Sequence, residues 1–247
     1  MTEIYQIAGV RIGVSSLYDE VCWLCADYRA DGEPDFSVHT SEADIDFERE
    51  RSAREDKIEG VPVRRFSDGY LETLAVYRKI AEKMPDYDTF LFHGACVAVD
   101  GEGYLFAAKS GVGKSTHARL WRELLGDRAV IVNDDKPLIR VTDSGATVYG
   151  TPWDGKHRLS SNIAVPLRAI CILERAERNS IRPISASEAY PMLLQQAYRP
   201  MDASALDKTL RLIDKLTEPV SFWRLGCNMD IEAARIAYDA MKGQETK

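Results

Sequence analysis

One eight-residue stretch combines residue types and a spacing that suit phosphate binding. Residues 108–115 read Ala-Lys-Ser-Gly-Val-Gly-Lys-Ser, which is the Walker A pattern G-x-x-x-x-G-K-[ST] with alanine in place of the first glycine. Gly111 and Gly113 lack a Cβ, so the chain can turn with positive φ and bring successive N–H groups close to an anion. In this pattern Lys114 reaches the β- and γ-phosphates, and the hydroxyl of Ser115 contacts Mg²⁺.

The segments on either side of this stretch have the form that a phosphate loop needs. Residues 104–108 are an apolar run that predicts a buried strand, and residues 115–125 predict a helix that ends at Gly126. The N-terminus of that helix would present free N–H groups and the positive end of its dipole to the same anion. The alternative is a glycine-rich turn without a ligand. The candidate nucleotide-binding residues are Ser110, Gly111, Val112, Gly113, Lys114, Ser115 and Thr116.

Two adjacent carboxylates follow the loop. Asp134 and Asp135 end the apolar run 129–133, twenty residues after Lys114. We expect that strand to return beside the strand that enters the loop, which would bring the carboxylates near the phosphates. Mg²⁺ takes one or two carboxylates in addition to phosphate oxygens and water, and a second carboxylate can accept a proton. The alternative is an acidic turn, because Asn-Asp-Asp-Lys suits a turn.

A histidine interrupts the apolar run ahead of the loop. His93 lies within residues 90–99, and Asp100-Gly101 predicts a hairpin turn from that run into the strand 103–108. The two strands are therefore expected to be antiparallel neighbours. This placement makes His93 a candidate to orient Asp134 or to share a proton with it. The alternative is a core histidine whose hydrogen bonds are satisfied internally.

Two cations are further candidates, for contact with the acceptor or with the transferred phosphate. Lys156 follows the turn-rich segment 149–155, which is explained equally by a loop over the phosphates and by a surface turn with a packed Trp153. Arg199 follows a predicted helix and precedes Pro200. It could stabilise a phosphoryl group in transfer, or it could face the C-terminal end of the helix dipole.

Composition and charge limit the classes of partner and the compartment. The 247 residues are 45% hydrophobic and 29% charged, which is typical of a globular chain with an ample core. A net charge of -7 without a basic block argues against nucleic acid. The first residues do not resemble a signal peptide, and no stretch approaches the roughly 20 apolar residues of a membrane span. We expect a cytoplasmic protein without membrane contact, and a homo-oligomer is left open.

The five cysteines do not predict a disulfide framework, because their number is odd and they are spread over apolar segments. Cys22 and Cys25 form a C-x-x-C within residues 17–28, which predict an amphipathic helix with both sulfurs on one buried face. A metal or redox role would need a second ligand pair or a βαβ context, and neither is visible.

The remaining pattern predicts two parts. Residues 1–86 read as a small N-terminal α/β lobe, with a strand at 61–66 and a helix at 70–84, and without a catalytic motif. Residues 87–247 contain the histidine, the loop and the aspartates. Helices are predicted after them at 186–198, 203–217 and 230–242, and strands at 167–173 and 220–225.

The order of strand, His-Gly, strand, Ser-Gly-Val-Gly-Lys-Ser, helix and strand ending in Asp-Asp resembles HPr kinase/phosphorylase and the wider phosphoenolpyruvate carboxykinase-like fold group, over roughly residues 88–175. The resemblance implies an α/β fold with a mixed sheet and a P-loop. It also implies that His93 and Asp134 are an acid/base pair, that Lys114 and Ser115 contact phosphate and Mg²⁺, and that Asp135 is a metal ligand. The order of roles within Asp134-Asp135 stays open.

The chain departs from both namesakes where an acceptor would bind. It lacks the glycine-rich signature that HPr kinases use around their protein substrate, and the carboxykinase residues for oxaloacetate and Mn²⁺ are not recognisable. It looks more like HPr-kinase-related bacterial proteins, some of which are encoded beside peptide-modification systems. The resemblance therefore says more about how this chain would bind a nucleotide than about which acceptor it would use.

Two functions of different class fit these residues. The first is an Mg²⁺-dependent kinase that transfers the γ-phosphoryl group of ATP to a serine- or threonine-type hydroxyl on a peptide, a protein or a small molecule. In this function Asp134, helped by His93, takes the proton of the hydroxyl. The second is a regulatory module that binds nucleotide without transferring phosphate, and a carboxykinase is a weaker third option. The sequence does not distinguish ATP from pyrophosphate as the donor.

Overall fold

In the computed structural model, which describes residues 2–155 and 158–243, the chain divides into two units, Met1–Lys83 and Met84–Lys247. No helix in these described ranges combines the length and the apolar character that crossing a membrane requires. The five cysteines, all of them described, are free thiols.

The first unit is a three-stranded sheet with three helices. Its elements are β1 (Thr2–Ile7), β2 (Val10–Ser15), α1 (Glu20–Leu24), β3 (Phe36–His39), α2 (Glu42–Glu59) and α3 (Asp68–Lys83). Strands β1 and β2 form an antiparallel hairpin, and β3 pairs parallel with β2. The highly charged segment around residue 50 forms α2, which starts at a Ser41–Asp44 capping box and ends at Gly60 in the left-handed conformation.

Two predictions in the first unit are wrong, one of them in part and the other entirely. The predicted helix over 17–28 forms only as α1 and a separate 3-10 turn at Ala26–Tyr28, because Cys25 leaves the helical conformation and ends α1. The predicted strand at 61–66 does not form. There the backbone N–H and the Nε of Arg64 donate to the buried carboxylate of Asp56, at 2.8 Å and 2.9 Å, so Asp56 takes the place of a strand partner.

The second unit is built on a sheet that contains nine strands among the described residues. Its strands are β4 (Thr89–Leu91), β5 (Ala95–Val99), β6 (Glu102–Ala107), β7 (Ala129–Asn133), β8 (Leu138–Thr142), β9 (Gly145–Tyr149), β10 (Ala164–Arg175), β11 (Ser180–Ile184) and β12 (Ser221–Cys227). Its helices are α4 (Lys114–Leu125), α5 (Ala186–Gln196), α6 (Ala203–Leu216) and α7 (Ile231–Lys242). The predicted positions of the helices are confirmed to within a few residues, and β11 was not predicted.

The strand order shows that the sheet is mixed. It runs β4-β8-β9-β10-β6-β5-β7, with β12 pairing parallel to β10 and β11 pairing antiparallel to β12. Alternate residues of β5 and β6 belong to two apolar layers, one shared with α5 and α6 and the other with α4 and α7. Because both faces of these central strands are covered, their sequences are almost continuously apolar. The expected α/β class with a mixed sheet is therefore what the second unit has.

The hairpin from β5 to β6 is confirmed. Asp100 and Gly101 have φ values of 51° and 86°, as a two-residue turn of type I′ requires, and the strands pair antiparallel from Ala95↔Phe106 to Val99↔Glu102. The predicted run 90–99 is two strands, because β4 pairs with β8 whereas β5 pairs with β6 and β7.

The prediction that β7 returns beside β6 is wrong. Strand β5 lies between them and is antiparallel to both. The hairpin puts β5 in the position beside β6 that β7 was expected to occupy. The helix α4 therefore passes over β5 to connect β6 with β7.

Candidate functional site

Three connections meet at one edge of the sheet. Since β5 is antiparallel to β6 and to β7, the start of β5 lies at the same edge as the ends of the other two strands. His93 precedes β5, the loop that includes Gly111 follows β6, and Asp134-Asp135 follow β7. The insertion of β5 therefore does not separate the predicted residues but brings the histidine in between the other two groups.

These residues line one cavity of about 320 Å³, which we call the first cavity. Its lining residues are His93, Ser110, Gly111, Gly113, Lys114, Ser115, Thr116, Arg119, Asp134 and Asp135. Of the predicted site residues, Val112 lines a neighbouring cavity instead. Arg119, which the sequence analysis did not single out, lies one helical turn after Ser115 on α4, and that spacing is the signal that could have found it.

The loop between β6 and α4 uses its glycines for their backbone conformation. Gly111 and Gly113 have φ values of 77° and 121°. Because there is room for a Cβ at both positions, it is the backbone conformation that requires glycine there. Ala108 is not among the described residues with positive φ, which explains why alanine is tolerated at the first glycine of the pattern. The helix begins at Lys114, so the N–H groups of its first turn lack acceptors within the helix.

Lys114 is a buried cation with one neutral partner. Its side-chain ammonium donates to the carbonyl oxygen of Ala108 at 3.3 Å and forms no ion pair with any described residue. Burial lowers the pKa of Lys114, and the negative charge of Asp135 opposes that shift. A buried ammonium that forms no direct ion pair favours the binding of an anion beside it.

Asp134 is a buried carboxylate that uses only one of its two oxygens in hydrogen bonds with described residues. It is 2% exposed, and its Oδ1 accepts a hydrogen bond of 2.6 Å from the backbone N–H of Gly155. Its Oδ2 has no hydrogen-bond partner among the residues that the structure describes. Burial raises the pKa of Asp134, with the charges of Asp154 and Asp135 adding to the effect and the Gly155 N–H opposing it.

His93 contacts Asp135, and not Asp134 as expected from the sequence. The imidazole Nε2 of His93 lies 3.2 Å from Oδ1 of Asp135. Burial would raise the pKa of Asp135, but the hydrogen bond from His93 and the charges of Lys136, His93 and Lys114 hold it below its ordinary value. The two aspartates therefore differ in pKa. The raised pKa of Asp134 favours binding of a proton, and the lowered pKa of Asp135 favours the ionised form.

A register shift between β5 and β7 explains this pairing. Val97 pairs with Ile131 but Cys96 pairs with Asn133, so one extra residue of β7 is accommodated there. As a result the backbone N–H of Gly94 donates to the carbonyl oxygen of Asp135 at 3.0 Å. Without the shift, position 94 would lie opposite Asp134.

Asn133 fixes the turn that carries the aspartates. It is fully buried, and its Oδ1 accepts from the backbone N–H groups of Asp135 at 2.9 Å and Lys136 at 2.6 Å. Its Nδ2 donates to the carbonyl oxygens of Thr151 at 3.2 Å and Trp153 at 3.3 Å. The sequence analysis counted this asparagine only as part of the acidic-turn alternative and did not assign it the role of holding the turn.

The segment after β9 has the packing that one of its two predicted alternatives requires, and the other, a loop over the phosphates, stays a prediction. Trp153 is packed, with 5% exposure, as a structural turn requires. The same segment also reaches the site, because Gly155 holds Asp134 and a Cβ at Gly155 would lie 2.7 Å from Oδ2 of that residue. Lys156 lies outside the described residues.

Arg199 does not line the first cavity. The backbone N–H of His93 donates to the carbonyl oxygen of Gln196, and that of Tyr198 donates to the carbonyl oxygen of Leu91. The two segments thus run antiparallel, and Arg199 continues away from the histidine as an exposed side chain.

A divalent cation in the first cavity would need oxygens from a ligand. No group of three or more His, Cys, Asp or Glu side chains in the described ranges could hold a metal by itself. The hydroxyl of Ser115 donates to the carbonyl oxygen of Asp134 at 3.1 Å, which leaves its lone pairs available, and the carboxylate of Asp135 lines the same cavity. Such a set suits Mg²⁺, which takes one or two carboxylates in addition to phosphates and water.

Comparison with known proteins matches the chain to a family and to solved structures. The model of a family described as SynChlorMet cassette protein ScmC matches residues 69–213. No curated protein sequence matches the chain. The structure of the HPr(Ser) kinase/phosphatase from Coxiella burnetii superposes with a TM-score of 0.33 at 11% identity, covering 62% of this chain and 99% of that chain. A likeness of this size leaves the function open.

Proposed function

The chain belongs to the SynChlorMet cassette protein ScmC family, and we propose that this member is an Mg²⁺-dependent phosphotransferase that moves the γ-phosphoryl group of ATP to a hydroxyl group. The observation that carries the proposal is the meeting of opposite charges in the first cavity. A buried ammonium that forms no direct ion pair with a described residue, Lys114, lines the same cavity as a buried carboxylate, Asp134, one oxygen of which has no hydrogen-bond partner among those residues.

The proposed binding step uses the loop and the start of α4. The free N–H groups after Gly113 and the ammonium of Lys114 would take the β- and γ-phosphates, for which a buried lysine with a single carbonyl partner is suited. Arg119 lines the same cavity and supplies a second positive charge. Phosphoryl transfer depends mainly on such positioning and on charge stabilisation.

Ser115 and Asp135 would hold the magnesium ion. The pKa of Asp135 is held low, so this residue stays ionised over the neutral range, as a metal ligand must. His93 would act as a positioning residue, because its imidazole bonds the carboxylate of Asp135. Bound Mg²⁺ would neutralise part of the negative charge on the phosphate oxygens.

Asp134 would be the base. The oxygen of the acceptor hydroxyl forms a bond to the γ-phosphorus, its proton passes to Asp134, and the bond from the γ-phosphorus to the bridging oxygen breaks to release ADP. A carboxylate whose pKa is raised by burial accepts a proton more readily than an exposed one, and such help is worth roughly 10²–10⁴-fold in rate. The unpaired Oδ2 is the oxygen available for that proton.

The test is phosphoryl transfer from γ-labelled ATP to candidate acceptors, with the polypeptides encoded beside the gene tried first. We expect Mg²⁺-dependent labelling of one acceptor, and we expect Asp134→Asn to lower the rate at least 100-fold while ATP still binds. Wild-type transfer by Asp134→Asn would overturn the assignment of the base. ATP binding without turnover on any acceptor would favour the alternative of a regulatory module.

A further inference from the structure

The large apolar side chains that the chain exposes are concentrated in the first unit. Of the twelve among the described residues, eight lie in residues 1–83, which are about a third of the chain. Four of them, with between 39% and 70% of each side chain exposed, are Leu17, Tyr18, Trp23 and Tyr70. Exposed aromatic side chains that gather in one region indicate a surface for a partner, whereas scattered ones do not.

The first turns of α1 and α3 are in contact, which brings two of these side chains together. A Cβ at Gly69 would overlap the carboxylate of Glu20, so the glycine leaves room for that side chain. Tyr70 follows Gly69 on α3, and Trp23 lies one turn after Glu20 on α1. Both aromatic side chains therefore flank the same junction between the two helices.

A buried carboxylate fixes the turn that leads into α1. Glu72 of α3 is fully buried and accepts hydrogen bonds from the backbone N–H groups of Leu17 at 2.6 Å and Tyr18 at 2.8 Å. The hydroxyl of Tyr18 donates to Asp68, the first residue of α3, at 3.4 Å. The turn is thus held against the same junction while its side chains stay exposed. We call the area of these four side chains the α1–α3 surface; it consists of Leu17, Tyr18, Trp23 and Tyr70.

Carboxylates without an ion-pair partner lie beside the α1–α3 surface. Asp19 and Glu42 are exposed, and neither forms an ion pair with another residue that the structure describes. Partial desolvation raises the pKa of Tyr18, and the negative charges of Asp68, Glu42 and Glu72 raise it further. The phenol therefore lies among carboxylates, two of which are available to a cation.

The first unit as a whole is acidic. Residues 1–83 contain 18 Asp and Glu against 11 Lys and Arg, a net charge of -7, whereas residues 84–247 contain 21 of each kind. The whole net charge of the chain thus lies in the unit that carries the α1–α3 surface. Carboxylates attract basic side chains, and aromatic rings attract the same cations through their faces. Nucleic acid, an anionic lipid surface or the first unit of a second copy would be repelled.

From these features we infer that the α1–α3 surface docks a polypeptide segment that carries both basic and apolar side chains. Its apolar side chains cover Leu17 and the aromatic rings, and its Lys or Arg side chains pair with Asp19 and Glu42. The inference goes beyond the proposed function, because the lining residues of the first cavity belong to the second unit and docking needs neither ATP nor phosphoryl transfer.

The first experiment measures the binding of a fluorescein-labelled peptide of Lys-Leu-Lys-Ser repeats to the whole chain by anisotropy, without nucleotide. We expect saturable binding. Replacing the leucines of the peptide by serine, or its lysines by glutamate, should weaken binding at least 10-fold, because the surface needs both kinds of side chain. Absence of binding, or equal binding of the leucine-free peptide, would overturn the inference, since the latter is only a general attraction of an acidic unit for cations.

Variants of the aromatic side chains locate the bound peptide. Trp23→Ser combined with Tyr70→Ser should weaken binding at least 10-fold and leave the fold intact, because both side chains are exposed. The matched control is Met229→Ser, which removes an apolar side chain of the second unit that is 75% exposed, close to the 70% of Trp23. It should change the affinity less than 2-fold, and an equal loss in both proteins would place the peptide elsewhere.

Variants of the carboxylates separate local from overall charge. Asp19→Asn combined with Glu42→Gln should weaken binding at least 3-fold. The matched control, Asp31→Asn combined with Glu33→Gln, makes the same changes at exposed residues ahead of β3, whereas residues 16–19 follow the opposite end of the parallel neighbour β2. At about 0.15 M salt, where charges are screened beyond about 8 Å, the control should change affinity less than 2-fold. Equal effects would show that only the net charge matters and would contradict docking at this surface.

The fluorescence of Trp23 reports docking without any variant. The other three tryptophans are at most 5% exposed, so acrylamide quenches mainly Trp23; they are Trp121, Trp153 and Trp223. We expect the Lys-Leu-Lys-Ser peptide, which contains no tryptophan, to lower the quenching constant at least 2-fold. Unchanged quenching with the peptide bound would mean that it does not cover Trp23, against the inference.

These measurements contain neither nucleotide nor acceptor, so they separate docking from the proposed function. Loss of phosphoryl transfer with intact peptide binding leaves the inference standing, and the reverse result leaves the proposed function standing. Sedimentation of the wild type and of Trp23→Ser combined with Tyr70→Ser provides the last check. We expect the same oligomeric state for both, whereas dissociation of a wild-type oligomer in the variant would assign the surface to a second copy and overturn the inference.

Discussion

His93 forms a hydrogen bond with Asp135, the second of two adjacent aspartates, and its Nε2 lies 3.2 Å from Oδ1 of that residue. The backbone N–H of the next residue, Gly94, donates to the carbonyl oxygen of Asp135. Both the side chain and the main chain thus hold Asp135 in place. Asp134, by contrast, is held by Gly155 from the segment after β9. The two carboxylates can therefore be disturbed independently.

The first prediction concerns His93→Gln. Removing the imidazole leaves Asp135 without its side-chain hydrogen bond, so we expect the Mg²⁺ concentration for half-maximal transfer to rise about 10-fold, as for other residues that orient metal ligands. The rate at saturating Mg²⁺ should fall much less. The measurement is transfer rate against Mg²⁺ concentration, with His39→Gln at an exposed position of β3 as the control. An equal loss of rate at every Mg²⁺ concentration would contradict the positioning role.

The local parts of the site could be predicted from the sequence because short-range geometry determines them. The glycines at 111 and 113 take the positive φ values that the pattern requires, and α4 starts at Lys114. The Asp100-Gly101 turn likewise determined how β5 and β6 pair. Each of these features depends on a few consecutive residues, and each is visible in the sequence.

The partner of His93 could not be predicted, because it depends on contacts between distant segments. The strand order β6-β5-β7 and the extra residue opposite Cys96 together put Asp135, instead of Asp134, beside Gly94. A shift of one residue between strands changes which side chain faces which, and nothing in either strand alone specifies it. The strand predicted at 61–66 failed for a similar reason, since a buried carboxylate, Asp56, took the N–H of Arg64.

The second prediction concerns Asn133→Leu. The leucine has a similar volume but removes the hydrogen bonds that Asn133 makes to the N–H groups of Asp135 and Lys136 and to the carbonyl oxygens of Thr151 and Trp153. We expect the free energy of unfolding to fall by at least about 2 kcal/mol, since each buried group without a partner costs roughly 1–3 kcal/mol. Urea unfolding measures the change. Gln195→Leu, at an exposed amide of α5, is the control and should change stability by less than about 0.5 kcal/mol.

The third prediction concerns Gly155→Ala. A Cβ at this position would lie 2.7 Å from Oδ2 of Asp134, so the carboxylate must move away from its present place. We expect the transfer rate to fall at least 10-fold, because a base displaced by a fraction of an ångström is poorly placed for the acceptor hydroxyl. ATP affinity should stay within 2-fold, since Gly155 does not line the first cavity.

The matched control for Gly155→Ala is Gly243→Ala, where the nearest atom to an added Cβ is at an ordinary 3.5 Å. It should leave rate and affinity unchanged. Full transfer activity in Gly155→Ala would mean that the position of Asp134 is not critical and would count against its role as the base.

The fourth prediction concerns stability against pH. Burial lowers the pKa of His117 to about 4, whereas in the unfolded chain it returns to about 6.5. Below pH 6.5 the unfolded chain therefore takes up a proton that the folded chain refuses, so this histidine makes stability fall as pH drops from about 6.5 to about 4. Between pH 7.5 and pH 5 its share of the loss is about 2 kcal/mol. Urea unfolding at the two pH values should show that His117→Phe loses less stability than wild type by this amount, while His39→Phe, at an exposed site, behaves as wild type. Equal pH dependence in His117→Phe and wild type would show that the imidazole is not held neutral by burial.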